Sequence, residues 1–158
     1  MKYSKLSKEQ FEALHEEFAV FLAAQSIDHK EWTSIKEEKP ELAEKELEAF
    51  SDFVWEKVLN KTEYLDHFSS QSLNLFKVGE QGIQRILVRV NKEGIDLLKE
   101  EDFNWFLDHS QDGRIEYLKG QKNYKDERNL EIFDLIQKGS VVSDGKLYEG
   151  IYQLIQSN

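Results

Sequence analysis

Residues 42–68 read LAEKELEAFSDFVWEKVLNKTEYLDHF, and this stretch decides the fold. With 3.6 residues per helical turn, apolar side chains recur on a single stripe, at Ala43, Leu47, Phe50, Val54 and Val58. Three more apolar residues flank the stripe, namely Phe53, Trp55 and Leu59. The apolar surface is therefore wider than the usual third of a helix, which predicts a central helix that is buried on several sides.

The end of this helix is marked by two polar residues, Asn60 and Lys61. If the helix continued, Leu65 and Phe68 would stay on the apolar stripe, but Lys61 would join them there. A charged residue on the buried face favours a break at Asn60–Lys61, with a kink or a fresh start at Thr62. We therefore predict a separate short helix from Thr62 to Phe68.

Upstream of the central helix, the chain carries two helix start signals. Ser7 and Gln10 have the spacing of a capping box, and a 3.6-residue apolar period follows as far as Gln25. Asp28 repeats the signal and begins a short second helix. Pro40 cannot continue that helix but suits the first turn of the next, so the long helix begins there.

Downstream of the central helix, the period changes from helical to alternating. Two strands, residues 73–78 and 83–90, flank the hairpin loop Gly79–Gly82. One face of the second strand is apolar, so one side of the sheet is expected to meet helices; the residues are Ile86, Val88 and Val90. Further along, the pattern predicts a helix and a third strand, over residues 97–109 and 114–118.

The carboxy-terminal part begins with a helix that Asp126 caps and Gly139 ends. Residues 141–156 fit either a hairpin or a helix. Their apolar period favours a helix, capped by Asp144.

These elements predict an α+β fold in a single domain, residues 1–158. An amino-terminal helical layer surrounds the buried central helix within residues 1–70. A small, mostly antiparallel three-stranded sheet and carboxy-terminal helices make up residues 71–158.

Composition narrows the possible functions. The 158 residues include no Cys, which excludes disulfides, thiolate metal sites and cysteine nucleophiles. The sequence shows neither a signal peptide nor a long uncharged apolar run, so we expect a cytoplasmic protein that does not bind membranes. The net charge of -10 opposes binding to nucleic acid, because clustered Lys and Arg bind phosphate backbones.

The acidic residues are unevenly distributed. Residues 1–70 contain 16 acidic and 9 basic residues, and the remainder contains 15 and 12. The ordinary explanation is a solvated face that maintains solubility. The sharper one is a protein partner with a basic surface, which would contact the acidic residues of the central helix, Glu41, Glu44, Glu46 and Glu48. A carboxylate array that mimics nucleic acid is a third alternative.

Motifs for metal binding, cofactor binding or catalysis are missing from the sequence. Glu12-x-x-His15 has the spacing of half a di-iron ligand set, but no second such pair occurs. His67 and His109 end predicted helices, where the helix dipole accounts for a histidine. We therefore predict no cofactor, no metal site and no catalytic residue.

A ligand cleft, if one forms, is expected at the helix break. There the sequence combines apolar bulk with several polar groups, in Trp55, Glu56, Asn60, Tyr64 and His67. Core packing is the competing explanation for the tryptophan.

Four stretches carry a resemblance to a known family: LHEEF at 14–18, KPE at 39–41, SDFVWEKVLNKTEYLDH at 51–67 and DERNLEIFDLIQKG at 126–139. Through them the whole chain resembles a family of small uncharacterised proteins of flavobacteria and their relatives. The resemblance implies a bacterial, cytosolic protein, and it implies no activity, cofactor or catalytic residue.

We therefore expect a non-enzymatic protein-interaction or regulatory module. The alternative is a small enzyme or ligand-binding domain with a cleft between Trp55 and His67, in which His67 is an acid or base. The oligomeric state stays open.

Overall fold

The computed structural model describes residues 1–157 and has an α+β architecture, as predicted, with seven helices and five strands over that range. The chain forms two compact units. We call residues 1–60 the helical unit and the part that begins at Lys61 the sheet unit. The single-domain organisation stays a prediction. No helix within residues 1–157 is long and apolar enough to cross a bilayer.

The helical unit contains four helices: α1 (Lys8–Ala13), α2 (His15–Ala23), α3 (His29–Glu38) and α4 (Pro40–Lys61), whose last residue opens the sheet unit. The predicted start signals are present. Ser7 Oγ accepts a hydrogen bond from the Gln10 amide at 3.2 Å, and Asp28 Oδ1 accepts one from the Glu31 amide at 2.8 Å. Local capping bonds of this kind depend only on residues three positions apart.

The single helix predicted from Ser7 to Gln25 is wrong, because the chain bends at Leu14, where φ is -107° and ψ is 24°. Phe11 and Phe18 both contact the Phe50 ring, with centroid distances of 6.1 and 5.0 Å. Seven residues of straight helix would separate them by roughly 10 Å along the axis. The bend therefore lets both rings reach one partner.

The long helix α4 is buried on fewer sides than predicted. Phe50 is fully buried, but Phe53 is 47% exposed and Val58 is 42% exposed. In contrast, the polar residue Ser51 is fully buried. Its burial is tolerated because its hydroxyl accepts a hydrogen bond from the Leu6 amide at 3.0 Å and donates one to the Leu47 carbonyl at 2.8 Å. The wide apolar surface is thus only partly used for the core.

The sheet unit contains five strands: β1 (Tyr64–Phe68), β2 (Ser72–Val78), β3 (Gly82–Val90), β4 (Ile115–Asn123) and β5 (Val141–Ser143). The strand order is β4-β3-β2-β1-β5, and every pair is antiparallel. The prediction of three strands is therefore wrong in number. It missed the strands β1 and β5 and ended β4 five residues early.

The helix predicted from Thr62 to Phe68 is also wrong, since this segment forms β1. The long helix ends at Lys61, so the break predicted at Asn60–Lys61 is confirmed, although a strand and not a helix follows it. β1 pairs with the neighbouring β2 on one side and with β5 on the other, and the residues of β5 are more than seventy positions away in the sequence. Such tertiary pairing overrides a short local pattern.

One face of the sheet, which we call the core face, carries the main apolar cluster. The predicted apolar face of β3 is confirmed: Ile86, Val88 and Val90 are buried together with Leu73 and Leu75 of β2. Two helices supply the other side of this cluster, α5 (Glu100–Asp108) through Phe106 and α7 (Lys146–Ser157) through Tyr148 and Ile151.

The remaining helix, α6 (Arg128–Gln137), is preceded by Glu127 rather than capped by Asp126 as predicted. The amides of Lys125 and Asp126 donate instead to Glu131 Oε2, at 2.8 and 3.3 Å. Gly139 follows the helix with a positive φ of 110°, as the sequence indicates.

The carboxy-terminal prediction is partly right. Residues from Lys146 are helical, but Val141–Ser143 form β5. Asp144 Oδ1 accepts a hydrogen bond from the Lys146 amide at 3.0 Å, at the start of α7. The helix favoured from the sequence is thus confirmed from Lys146 onward, whereas the hairpin alternative is wrong, because β5 pairs with β1.

Candidate functional site

The five residues predicted to line a cleft fall on two elements. Trp55, Glu56 and Asn60 lie on α4 in the helical unit, whereas Tyr64 and His67 lie on β1 in the sheet unit. A helix would have placed Tyr64 and His67 on one face, but residues three apart in a strand point to opposite faces. The sheet unit therefore does not bring these two side chains together.

Glu56 anchors the amino-terminal segment to α4. Its carboxylate accepts a hydrogen bond from the Tyr3 hydroxyl and lies 3.9 Å from Lys2 Nζ. Burial and the bond to Glu56 raise the pKa of Tyr3 to about 12. Nearby, Asp52 accepts the backbone amides of Lys2 and Tyr3 at 2.7 and 2.9 Å. These contacts give Glu56 a structural role.

Tyr64 supports the start of α7. Its hydroxyl donates to Glu149 Oε1 at 2.7 Å, and Lys77 Nζ donates to the same oxygen at 3.1 Å. The bond from Tyr64 and then the one from Lys77 lower the pKa of Glu149. Gly145 lies against the Tyr64 ring with a φ of 81°, and a Cβ there would collide with the ring. Glycine is thus needed for this close approach.

His67 is half-buried on the face of β1 opposite Tyr64. Gly139 lies beside its ring, and a Cβ on this glycine would be 3.2 Å from His67 Nε2. The ring therefore packs at the end of α6. A ligand-binding role for Trp55, Glu56, Asn60, Tyr64 and His67 stays a prediction.

Asp66 is a buried carboxyl group on the core face of β1. It is 7% exposed, and its Oδ1 has no hydrogen-bond partner within residues 1–157. Burial raises the pKa of this carboxyl, the charge of Asp144 raises it further, and a hydrogen bond with Ser143 opposes the shift. Its ionisation is therefore less favourable in the folded protein than in the unfolded chain.

The metal ligands suggested by single histidines do not converge in the part of the chain described. Among residues 1–157, no group of three or more His, Asp and Glu side chains is arranged to hold a metal ion. His15 Nδ1 lies 3.0 Å from the backbone carbonyl of Glu12, so this pair makes a local contact within the helical segment.

One concave surface that the sequence did not predict is an apolar groove on the helical unit, which we call the α2–α4 groove. It encloses about 650 Å³, and its lining comes from two helices: Glu16, Glu17, Val20, Phe21, Ala24, Gln25, Phe53 and Lys57. Every lining residue thus belongs to α2, to the turn that follows it, or to α4.

The floor of the α2–α4 groove is apolar and its rim is charged. Val20 is 71% exposed, and the Phe21 and Phe53 rings are in contact, with centroids 5.6 Å apart. Lys57 Nζ lies 5.3 Å from the centroid of the Phe53 ring, while Glu16 and Glu17 are exposed on the rim. An apolar floor with a polar rim is the usual form of a binding surface.

The sequence did contain a signal for this groove. Val20 lies outside the apolar stripe of the amino-terminal helical segment, and Phe53 lies outside that of α4. Large apolar residues beside a stripe are commonly read as a wider core. Their exposure shows that they instead form an uncovered surface between the two helices.

The fold defines an α+β protein that combines four helices with a five-stranded antiparallel sheet bearing three further helices. A family model described as "Family of unknown function (DUF6495)" matches residues 1–156, and the chain belongs to that family. No curated protein and no solved structure matches the chain. The resemblance to a family without an assigned function is confirmed at this level.

Proposed function

We propose that this protein is a non-enzymatic interaction module that binds a basic, amphipathic helix of a partner protein in the α2–α4 groove. The exposed apolar floor of the groove, framed by carboxylates, supports this proposal. A bacterial, cytoplasmic setting in flavobacteria and their relatives belongs to the same proposal.

The shape of the groove favours a helix as the bound element. Its two walls are helices, and Val20 with Ala24 on one wall and Phe53 with Lys57 on the other are each spaced by one helical turn. A helix in such a groove inserts apolar residues from one stripe and leaves its polar side outside. Burying the exposed parts of Val20 and Phe53 supplies the favourable free energy.

The charge of the helical unit favours a basic partner. Residues 1–60 contain fourteen acidic and eight basic residues. Within residues 1–157, Glu16 and Glu17 form no ion pair, so both are available on the rim. On α4, Glu44 is already paired with Lys5 at 2.6 Å. Complementary rim charges chiefly accelerate association and select the partner.

Calorimetric titration tests the apolar part of the proposal. The probe is a peptide of about 18 residues, roughly five helical turns, with Leu on one stripe and Lys and Arg elsewhere. V20E is expected to weaken binding at least about tenfold, since a carboxylate would be desolvated in the groove. The matched control is L42S, because Leu42 is also an exposed apolar residue of the helical unit but lies outside the groove.

A second titration tests the charged rim. E16Q/E17Q is expected to weaken binding about three- to tenfold at low salt and to reduce its salt dependence. E37Q/E38Q removes the same charge from α3, outside the groove, and should change little. Equal losses in the two double variants would indicate a nonspecific charge effect and would contradict a defined rim.

The alternative function is a small enzyme or ligand-binding domain that uses the region from Trp55 to His67. One variant, H67A, distinguishes this alternative from peptide binding in the groove. H67A should leave peptide affinity unchanged, because His67 does not line the groove. Loss of peptide binding in H67A, with V20E unaffected, would contradict the groove proposal and favour a site around His67.

A further inference from the structure

The outer edge of β4 is a second uncovered surface, of a different kind. β4 has nine residues and pairs with β3 along its whole length, from Ile115 opposite Val90 to Asn123 opposite Gly82. Within residues 1–157, no strand lies on its other side. The opposite sheet edge, β5, has only three residues. β4 is therefore the long edge strand of this sheet.

The backbone of β4 directs a regular row of hydrogen-bonding groups outward. Beyond the two ends of the strand, the Asn91 amide donates to the Arg114 carbonyl at 2.8 Å and the Tyr124 amide donates to the Gln81 carbonyl at 3.4 Å. In an antiparallel ladder, alternate residues bond to the same neighbour. Arg114 and Tyr124 form these bonds with the β3 side, so the even-numbered residues of β4 direct their backbone groups towards β3. The odd-numbered residues therefore present their N–H and C=O groups to the free edge.

The side chains of β4 complement a second copy of the same strand. Antiparallel pairing about a two-fold axis at Lys119, the middle residue, aligns all nine residues. This pairing places Glu116 of each copy opposite Lys122 of the other, so that two such pairs form. It also places Leu118, which is 50% exposed, opposite Gly120, where nothing lies within 4 Å of a Cβ position.

The register is also consistent with the backbone. Lys119 is odd-numbered, so the two copies of this residue would exchange both of their backbone hydrogen bonds at the axis. Their ammonium groups carry like charges, but Lys119 Nζ lies 5.4 Å from the centroid of the Tyr152 ring, which draws it towards α7. Glu116 and Lys122 each have a partner in their own chain, Arg89 at 3.5 Å and Glu131 at 3.4 Å. In the dimer they would also face each other across the axis, and these two further pairs oppose the remaining repulsion.

We propose that this protein forms a homodimer in which two β4 strands pair antiparallel about Lys119, creating one continuous ten-stranded sheet. A second copy is the occupant because the charge pattern is self-complementary: the acidic and the basic residue lie three positions on either side of the centre. Such an interface is isologous and closes as a dimer.

A charge-exchange experiment tests the pairing, with sedimentation equilibrium of the full chain as the measurement. E116K alone and K122E alone each place like charges opposite each other, so each is expected to weaken dimerisation at least about tenfold. An equimolar mixture of the two variants restores both opposite-charge pairs and should form heterodimers with nearly native affinity. E101K is the control, because Glu101 is exposed on α5.

Two results of this experiment would overturn the proposal. One is a native chain that remains monomeric up to millimolar concentration. The other is dimerisation that neither single variant weakens. Because the mixture uses the same two proteins, its recovery distinguishes a lost interface from a folding defect.

Disulfide trapping tests the register of the two strands. Because the native sequence contains no Cys, a single introduced cysteine can crosslink only to its counterpart in the second copy. In K119C the two Cα atoms would be about 5.5 Å apart, a separation that disulfides span. In Q121C they would be offset by four residues, roughly 13 Å. Mild oxidation should therefore crosslink K119C and not Q121C. Equal crosslinking of both variants, or none of either, would contradict pairing about Lys119.

Discussion

The two units leave different kinds of surface uncovered. The helical unit exposes apolar side chains, Val20 and Phe53, although its helices satisfy their own backbone hydrogen bonds. The sheet unit also exposes single apolar side chains, such as Leu118, but what distinguishes it is the row of backbone groups that stays available along β4. The difference predicts different partners, because exposed apolar side chains bind an amphipathic helix and an open edge binds a strand.

The cores of the two units also differ in composition: the core of the helical unit is aromatic, and that of the sheet unit is largely aliphatic. The helical unit is organised around Phe50, whose ring contacts those of Phe11, Phe18, Phe21 and Phe53. The sheet core instead consists largely of Leu, Ile and Val, and five of these residues lie on β2 and β3. Aromatic packing between the helices of the helical unit extends to the surface, which is why the groove shares Phe21 and Phe53 with the core.

The largest expected effect comes from breaking the aromatic core. F50A should reduce the free energy of unfolding by about 3–5 kcal/mol, because it removes a fully buried ring and leaves a cavity. F53A, at a half-exposed ring of the same helix, should cost only about 1 kcal/mol. Urea unfolding followed by circular dichroism measures both. Similar losses would contradict the distinction between core and groove.

The next largest effect on the free energy of unfolding is expected from Arg128, whose side chain forms hydrogen bonds within the sheet unit. Arg128 donates to the carbonyls of Thr62 at 2.6 Å and Gly79 at 3.0 Å, which fixes the start of α6. R128M should cost about 1.5–3 kcal/mol, because charged hydrogen bonds are lost. R89M is the control, because Arg89 is half-exposed and its ion pair with Glu116 is long, at 3.5 Å. This variant should reduce the free energy of unfolding by less than about 0.5 kcal/mol.

Asp66 gives an effect of opposite sign. Its pKa is raised in the folded state, so the folded protein binds this proton more tightly than the unfolded chain and stability falls as pH rises through the folded pKa. D66N should therefore stabilise the protein at pH 7 by about 1 kcal/mol. The gain should shrink as pH falls and disappear well below about pH 3.9, the ordinary aspartate pKa, where the carboxyl is protonated in both states. Thermal unfolding across this range measures it, and destabilisation at pH 7 would contradict the sign.

Glu149 gives the smallest effect and the reverse pH dependence. Its pKa is lowered by Tyr64 and Lys77, so its contribution is present above about pH 4.3, the unfolded value, and is lost as pH falls. The side chain is 42% exposed, and solvent screens the pair. E149Q should therefore cost under about 1 kcal/mol, and salt should reduce the loss. A larger, salt-independent loss would show that this cluster is part of the buried core.

Local signals were sufficient to predict much of the helical unit. The capping bonds of Ser7 and Asp28 depend on neighbours three residues away, and in the sheet unit the positive φ at Gly139 is likewise a local signal. The bend at Leu14 was missed because it depends on a ring in a different helix, that of Phe50.

Long-range pairing explains the errors in the sheet unit. β1 is only five residues long, and a period of three or four fits it as well as alternation does. Its strand conformation comes from β2 and from β5, the latter more than seventy residues away along the chain. The α2–α4 groove was missed for the same reason, since a groove exists only once two helices have packed.

The most direct test of the central claim is a titration of the ¹⁵N-labelled protein with the basic amphipathic peptide, followed by amide chemical shifts. We expect saturable shifts clustered at the α2–α4 groove, around Val20, Ala24, Phe53 and Lys57, and we expect V20E to abolish them. Absence of saturable shifts at millimolar peptide, or shifts clustered elsewhere and unchanged in V20E, would contradict a binding groove between α2 and α4.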